Sequence, residues 1–211
     1  MSEVPGGIEV RFVAVIGLLV GGLLIGSIAS ALADDRSICG AAPPKSDTIP
    51  ACSRIIASPR TSDHDRALAY TFRADAMRTQ DNAAGAVTDY GEALTLLPEY
   101  LPALCGRAGA YRSLHQYELA LRDLDKALAT PSQSPALVLS ALYAQRGAVY
   151  RAMGDTARAI PDLDNALKIS PRNAKALYQR GLAKSAMGDQ AGGEADIAAA
   201  KAIDPDVATH L

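Results

Sequence analysis

The sequence lacks tryptophan and is poor in the residues that most often carry out chemistry. Its 211 residues include only three cysteines, three histidines and two phenylalanines. The histidines, His64, His115 and His210, are scattered along the chain and share no helix face. The metal and nucleophile motifs H-E-x-x-H, C-x-x-C and G-x-S-x-G do not occur. We therefore expect a protein that is not an enzyme and that uses no metal and no cofactor.

An excess of charge of either sign is also missing. Lys and Arg number 21 against 23 Asp and Glu, which gives a formal net charge of −2. Proteins that bind nucleic acid or an anionic membrane surface usually present a basic patch that dominates their charge. The balanced composition excludes such a footprint, and it leaves a protein or a peptide as the expected partner.

Residues 1–33 differ from the rest of the chain. An apolar run extends from Phe12 to Ala29, and Ala31-Leu32-Ala33 forms an A-x-A cleavage site before two aspartates. This pattern predicts a signal peptide. The run is also long enough to be an uncleaved membrane anchor at residues 12–29, which stays open as the alternative. In either case we expect the body of the protein outside the cytoplasmic membrane: periplasmic, secreted, or anchored to the inner membrane.

An exported location changes the oxidation state that is expected for the cysteines. Cys39 and Cys52 lie close together at the start of the domain, where an oxidising compartment favours a disulfide. Such a bridge would close a loop of about 14 residues, for a chain-entropy gain of roughly 3 kcal/mol. Cys105 is left over, and we expect it to be buried on a helix as a small apolar side chain.

A helical-pair pattern that occurs four times between residues 67 and 205 is the dominant positive feature. Each copy has a small residue, a large apolar residue four positions later and an Ala three positions further on. Successive copies lie 34, 39 and 34 residues apart. A unit of about 34 residues is typical of a helix–turn–helix repeat. The columns are Ala86, Ala120, Ala159 and Gly193; Tyr90, Leu124, Leu163 and Ile197; and Ala93, Ala127, Ala166 and Ala200.

The pattern also predicts where the helices begin and end. The Gly-Asp pairs at 154–155 and 188–189 fit a helix stop followed by the N-cap of the next helix. Gly192 and Gly193 weaken the last helix by roughly 1 kcal/mol each relative to Ala, so the fourth copy is expected to be the loosest. The predicted helices span about 64–79, a second one ending near 97, 101–114, 117–129, 135–153, 156–169, 173–187 and 190–203.

Residues 34–62 precede the repeats, and we expect them to form an irregular segment held by the disulfide. Part of this segment, residues 49–57, is similar to the second helix of a repeat. The alignment places Cys52 where Leu163 packs in the third copy. A degenerate half-repeat of this kind would cover the apolar end of the first full repeat.

The four copies resemble tetratricopeptide repeats. That family has a small residue in the first helix and an aromatic three residues later, as in Gly147 with Tyr150 and Ala108 with Tyr111. The resemblance covers about two-thirds of the chain. It implies an all-α, right-handed superhelical solenoid of antiparallel helix pairs that stack, because no pair buries its own apolar face. The repeats fall at about 67–100, 101–139, 140–173 and 174–207, within a domain of residues 63–211.

Charged residues form a further repeated pattern. Each copy has an Arg in its first helix and an Asp 16 residues later in its second helix. Antiparallel helices of this length bring such residues together, so we predict four ion pairs that fix the register of the helices, within a repeat or across to the next. The pairs are Arg73 with Asp89, Arg107 with Asp123, Arg146 with Asp162, and Arg180 with Asp196.

A second arginine column, Arg78, Arg112 and Arg151, lies five residues after the first, with Ser in the fourth copy. In the resembling family the first helices form an inner face that receives extended peptides. The resemblance therefore implies a concave binding surface that includes these arginines together with Asp75 and Tyr178. Such arginines would bind carboxylates of a partner, although a solvated position near the turns is the plainer interpretation.

The Lys and Asn residues with which some members of that family clamp a C-terminal carboxylate are absent. Thr71, Asp75, Ala144 and Ala148 occupy the corresponding inner-face positions. The resemblance therefore does not imply binding to chaperone tails.

Taken as a whole, the sequence predicts a non-catalytic scaffold, exported to the periplasm, that binds a peptide or a helix on its concave face. The alternative is an assembly subunit that self-associates as a homo-oligomer. Only residues 204–211 follow the last predicted helix, which is too short a stretch for a full capping helix.

Overall fold

The computed structural model describes residues 33–130 and 135–209, and this part of the chain contains α-helices and turns but no β-strand. The predicted fold class is confirmed. Each helix of the repeats begins and ends within one residue of its predicted position. The helices are α1 (Thr48–Ala57), α2 (Asp63–Thr79), α3 (Ala83–Leu96), α4 (Leu101–Ser113), α5 (Tyr117–Ala129), α6 (Ala136–Ala152), α7 (Thr156–Ile169), α8 (Ala174–Ala186) and α9 (Gln190–Ile203).

The predicted signal peptide or anchor lies outside the described residues except for its last position. Within the described ranges, each helix is too short or too polar to cross a bilayer.

Four helix pairs stack in sequence order: α2 with α3, α4 with α5, α6 with α7, and α8 with α9. The first helices of successive pairs also touch one another, so they line a common side of the solenoid. The small-residue column lets the two helices of a pair approach closely, since Ala86, Ala120 and Ala159 are fully buried. Large apolar residues such as Leu124 and Leu163 fill the space between helices and are also fully buried. The interior is therefore continuous from one repeat to the next.

Left-handed backbone at one position ends the first helix of every pair. Gly154 and Gly188 have φ of 79° and 92° there, while Asp81 and His115 have φ of 58° and 57°. Glycine adopts this conformation without strain, whereas other residues do so at a cost. The first two turns are therefore built from less suitable residues than the last two.

The fourth helix pair is tightly packed, contrary to the expectation that it is the loosest. A Cβ atom on Gly193 would lie 2.7 Å from the carbonyl oxygen of Gly181 and would collide with the side chain of Ser185. Glycine at both positions lets the backbones of α8 and α9 come together. The glycines thus lower helix propensity but permit a contact that alanine would block.

The segment before the repeats is more regular than the sequence indicated. Residues 33–39 are helical, where the sequence had indicated irregular structure, and α1 coincides with the half-repeat predicted at residues 49–57. The structure joins Cys39 to Cys52 in a disulfide with a Cα–Cα distance of 4.9 Å. Asp35, which is 6% exposed, accepts hydrogen bonds of 3.0 Å from the Nε of Arg54. The two helical pieces therefore form a shortened pair that packs on α2.

The C-terminal end is also more covered than expected. Residues 205–209 form turns, and Val207 is fully buried in an apolar cluster with Leu177 and Ala200. Val207 therefore fills one gap at this end, whereas Ala195, Ala198, Ala199 and Ala202 of α9 remain exposed.

Candidate functional site

A groove of about 1040 Å³ crosses the first helices of all four repeats. It begins beside Asp75 and Thr79 on α2 and reaches Gln179 on α8 and Thr209 of the C-terminal turns. Its floor is made of small residues, including Ala108, Ala144 and Ala148. Small side chains on successive first helices leave an open channel where larger ones would fill it.

Three arginines, Arg78, Arg112 and Arg151, form a row along this groove and are called the arginine row below. Arg78 and Arg112 line the groove directly. Arg151 donates a hydrogen bond of 2.5 Å from its Nε to Oε1 of Gln179, which lines the groove. A Cβ atom on Gly109 would lie 3.3 Å from a terminal nitrogen of Arg78, so the absence of a side chain there makes room for this guanidinium.

The positive charges of the arginine row repel one another, and this repulsion affects the pKa of its central member. Burial lowers the pKa of Arg112, and the positive charges of Arg78 and Arg151 lower it further. Burial is also the main cause that lowers the pKa of Arg151. Among the described residues, Arg112 makes no hydrogen bond and no ion pair through its side chain. Arg112 therefore carries a positive charge that no acidic side chain pairs with in the described part of the chain.

Asp75 is the carboxylate that pairs with a member of the row, and it also accepts a hydrogen bond from Tyr90. Its Oδ1 accepts a hydrogen bond of 2.5 Å from the hydroxyl of Tyr90 and lies 3.7 Å from Nη1 of Arg78. Burial raises the pKa of Asp75, although the Tyr90 hydrogen bond and the charge of Arg78 oppose that shift. Burial and the neighbouring Asp75 also raise the pKa of Tyr90. Gly106 makes room for the Tyr90 ring, since a Cβ atom there would lie 2.6 Å from the Tyr90 hydroxyl oxygen.

Two other candidates lie differently from the expectation. Tyr178 packs against the C-terminal apolar cluster instead of lining the groove, although its electrostatic effect reaches Arg151. Cys105 is half-buried and lines the groove instead of packing fully in the interior as a small apolar side chain. Burial raises the pKa of the Cys105 thiol to about 11, so this cysteine stays protonated and weakly nucleophilic at neutral pH.

The first arginine column forms the register-fixing pairs with its aspartates. In each repeat, Nε and Nη2 of the Arg donate two hydrogen bonds to the carboxylate, with distances between 2.6 and 2.9 Å. The four aspartates are 5–8% exposed. Each pair joins the two helices of one repeat, and none of these residues lines the groove. The pairs are Arg73–Asp89, Arg107–Asp123, Arg146–Asp162 and Arg180–Asp196.

The same arginines also reach back to the preceding helix pair, which the sequence analysis did not predict. Nη1 of Arg146 donates to Asp125 at 2.7 Å, and Nη1 of Arg180 donates to Asp164 at 2.8 Å. Arg73 reaches Ser53 on α1 in the same manner, at 2.9 Å. Asp125 and Asp164 directly follow the large apolar residues of their repeats, and Ser53 directly follows Cys52 in the same way, so α1 occupies the place of a second helix.

Sequence reasoning also missed two glutamines of the groove. Gln145 and Gln179 both line it, and Gln179 is only 2% exposed. Both stand in an identical tripeptide, Gln-Arg-Gly, at the same place in the third and fourth repeats. That repeated tripeptide is the sequence feature from which the two glutamines could have been predicted to share a position in the groove. Among the described residues, no group of three or more His, Cys, Asp or Glu side chains is placed to hold a metal ion.

Comparisons with known proteins agree with this architecture. Residues 147–188 match the family model of the TPR repeat. A search of curated protein sequences gives no significant match. The fold is similar to a crystal structure of the MamA protein, with a TM-score of 0.63 and 17% identity over 86% of this chain and 96% of that one.

Two further solved structures share the fold at similar levels. MamA from Desulfovibrio magneticus RS-1, residues 41 to the end, has a TM-score of 0.61 and 16% identity over 76% of this chain and 85% of that one. The first TPR domain of Spaghetti (RPAP3), solved with the HSP90 peptide SRMEEVD, has a TM-score of 0.53 and 22% identity over 59% of this chain and 95% of that one. The match shows a tetratricopeptide repeat at residues 147–188, and the similar structures show that the chain has the fold of a tetratricopeptide-repeat solenoid.

Proposed function

We propose that this protein is an exported, non-catalytic adaptor that binds an acidic segment of a partner protein in its concave groove. The observation that carries the proposal is the arginine row. Its central member, Arg112, is half-buried beside two other guanidiniums and lacks a counter-charge in the described part of the chain. A buried positive charge without a partner is unfavourable, and a carboxylate of a ligand would relieve it through charge-assisted hydrogen bonds.

The groove provides the shape that such a ligand needs. Its volume of about 1040 Å³ is spread across four repeats, which suits an extended segment. The walls are built on helices that the Arg–Asp pairs hold in register, so little ordering entropy is lost by the scaffold on binding. A related fold, that of RPAP3, has been solved with a peptide containing two consecutive glutamates, which supports a peptide as the ligand here.

The proposed location outside the cytoplasm rests on the sequence of residues 1–33 and on the cysteine pair. An apolar run followed by an A-x-A site precedes the domain. The Cys39–Cys52 pair is close enough to be bridged, and such bridges persist in oxidising compartments. Non-reducing peptide mass mapping of the protein from its native cell envelope, with sequencing of its N-terminus, tests both points.

A role as a self-assembling subunit is the second candidate from the sequence. It depended on an uncovered apolar end at the last repeat. Val207 fills part of that end, whereas the small side chains of Ala195, Ala198, Ala199 and Ala202 on α9 are exposed and leave a face for self-association. We favour the adaptor because Arg112 carries a charge in the groove that is unpaired within the described residues. Light scattering at several concentrations separates the two, since a constant monomer mass excludes self-assembly.

Fluorescence anisotropy with a short labelled peptide of alternating Glu and Ser tests the adaptor function. A peptide with Lys in place of Glu is the charge control. We expect the Glu peptide to bind and the Arg112→Gln variant to weaken binding about tenfold, because a hydrogen bond between charged groups contributes roughly 1.5–3 kcal/mol.

Arg122→Gln is the matched control variant, since Arg122 is exposed on the second helix of the same repeat. It should bind the Glu peptide as the unaltered protein does. Equal binding of the Glu and Lys peptides, or equal losses in the two variants, would reject the arginine row as the site.

A further inference from the structure

A second cavity, of about 300 Å³, lies at the N-terminal end of the concave groove. One wall is formed by Cys39, the last residue of the first helical piece, and by Ala41, Ala42 and Pro44 of the loop that follows it. The opposite wall is α2, which contributes Phe72. The cavity is at the lower end of the range of about 300–1,000 Å³ found for ligand pockets, and it is named the end pocket below.

The end pocket is continuous with the groove. Asp75, Arg78 and Thr79 line both cavities. A ligand that places a carboxylate on Arg78 therefore has its neighbouring residue at the mouth of a chamber whose other walls are apolar. The repeats themselves do not build this chamber, because the four residues of its outer wall belong to the segment that precedes them.

The outer wall is held in place before any ligand arrives. Cys39 is tied to α1 by the disulfide, and Thr48 of α1 accepts a hydrogen bond of 2.9 Å from the backbone N–H of Lys45. Gly40 lies against the Phe72 ring, with a distance of 3.6 Å from its Cβ position to the ring. A wall fixed in this way costs little ordering entropy when a side chain enters.

We infer that the end pocket binds one apolar side chain of the same acidic segment that the groove receives, next in sequence to a carboxylate that pairs with Arg78. This inference rests on the proposed function of the groove. The ligand would then contain an apolar residue, such as leucine, directly beside a cluster of acidic residues. The segment held by the disulfide would select that residue.

Two labelled probe peptides test the inference: one with Leu followed by four Glu, and one with Ser in place of Leu. With the unaltered protein, we expect the Leu peptide to bind about tenfold more tightly, because the leucine side chain leaves water on binding. Ala41→Phe places a ring in the end pocket and should reduce this ratio to near one. Ala84→Phe, at an exposed position of α3, is the matched control and should keep the ratio.

The outcomes separate the two proposals. If Ala41→Phe keeps the tenfold ratio while Arg112→Gln weakens both peptides, the end pocket is rejected and the arginine row stands. If neither peptide binds the unaltered protein, both proposals are rejected. Circular dichroism checks the folding of each variant. Pro44→Glu, which puts a carboxylate on the same wall, provides a second test with the same expected loss of the ratio.

Discussion

Nη1 of Arg107 faces Gly91 of the preceding helix pair, and a Cβ atom on that glycine would lie 3.9 Å from it. Arg146 and Arg180 find Asp125 and Asp164 at the equivalent place, and Arg73 finds Ser53. These contacts between successive repeats, from Nη1 of each arginine to the preceding second helix, are called the ladder below. Where the first repeat meets the second, the ladder lacks an acceptor for Arg107.

Gly91→Asp should complete this ladder. The new carboxylate would have room, and it would face a guanidinium that is already ordered by Asp123. We expect the free energy of unfolding to rise by about 0.5–1.5 kcal/mol, from the new ion pair and from the removal of a helix-interior glycine. Urea denaturation followed by circular dichroism measures the change. Gly91→Asn is the control, and an equal gain there would mean that the charge contributes nothing.

The turn between α4 and α5 offers a second route to higher stability. His115 holds a left-handed conformation that Gly154 and Gly188 hold in the later repeats. Gln116 precedes α5 without a side-chain cap among the described residues, whereas Asp155 and Asp189 cap the later helices. His115→Gly with Gln116→Asp should raise the free energy of unfolding by about 1–2 kcal/mol, mostly through the cap. Thermal unfolding measures it, and each single variant shows which residue contributes.

The sequence was sufficient to predict much of the scaffold, for physical reasons visible at particular residues. Glycine at 154 and 188 and the caps that follow them mark helix ends locally, so the predicted helix bounds lie close to those of the structure. The spacing of 16 residues between Arg73 and Asp89 suits two antiparallel helices of similar length. Helix ends and the Arg–Asp spacing depend on local geometry that recurs in each repeat.

Other features depend on contacts between distant parts of the chain, and the sequence did not reveal them. Asp125 looks like a solvated helix residue until stacking brings Arg146 of the next repeat beside it. Val207 follows a proline in a short polar tail, and only the fold shows the gap that it fills.

Gly193→Ala provides a test of the close approach in the fourth repeat. Alanine occupies this column in the other three repeats and has the higher helix propensity, so the sequence alone predicts a gain in stability. The structure predicts a loss of about 1–3 kcal/mol instead, because the added methyl group would overlap the backbone of Gly181. Urea denaturation shows whether the substitution raises or lowers the free energy of unfolding. Gly91→Ala, in the interior of α3, is the helix-glycine control, because a Cβ atom there would meet only Nη1 of Arg107, at an ordinary contact distance of 3.9 Å.

Asp75→Asn should stabilise the protein in a pH-dependent manner. The pKa of Asp75 is raised in the folded state, mainly by burial. Protonation of Asp75 therefore favours folding, and that contribution is full below its unfolded-state pKa and is lost as the pH rises through the folded-state pKa. The variant lacks the titrating group but keeps an oxygen that accepts the Tyr90 hydrogen bond. Its advantage over the unaltered protein should reach up to about 1 kcal/mol at pH 7, with solvent screening at this half-exposed side chain taken into account.

The advantage of Asp75→Asn should vanish as the pH falls below about 3.9, where the unaltered protein carries a neutral carboxyl in both states. Urea denaturation of both proteins between pH 3 and pH 8 measures it, and a constant difference across that range would contradict the assignment.

The same substitution removes a negative charge beside Arg78, so it should also tighten binding of the acidic peptide about threefold at pH 7. Asp81→Asn, at the left-handed turn that ends α2, removes a charge that also lines the groove. It is the control for binding, since an equal tightening there would point to the overall charge of the groove instead of the neighbourhood of Arg78.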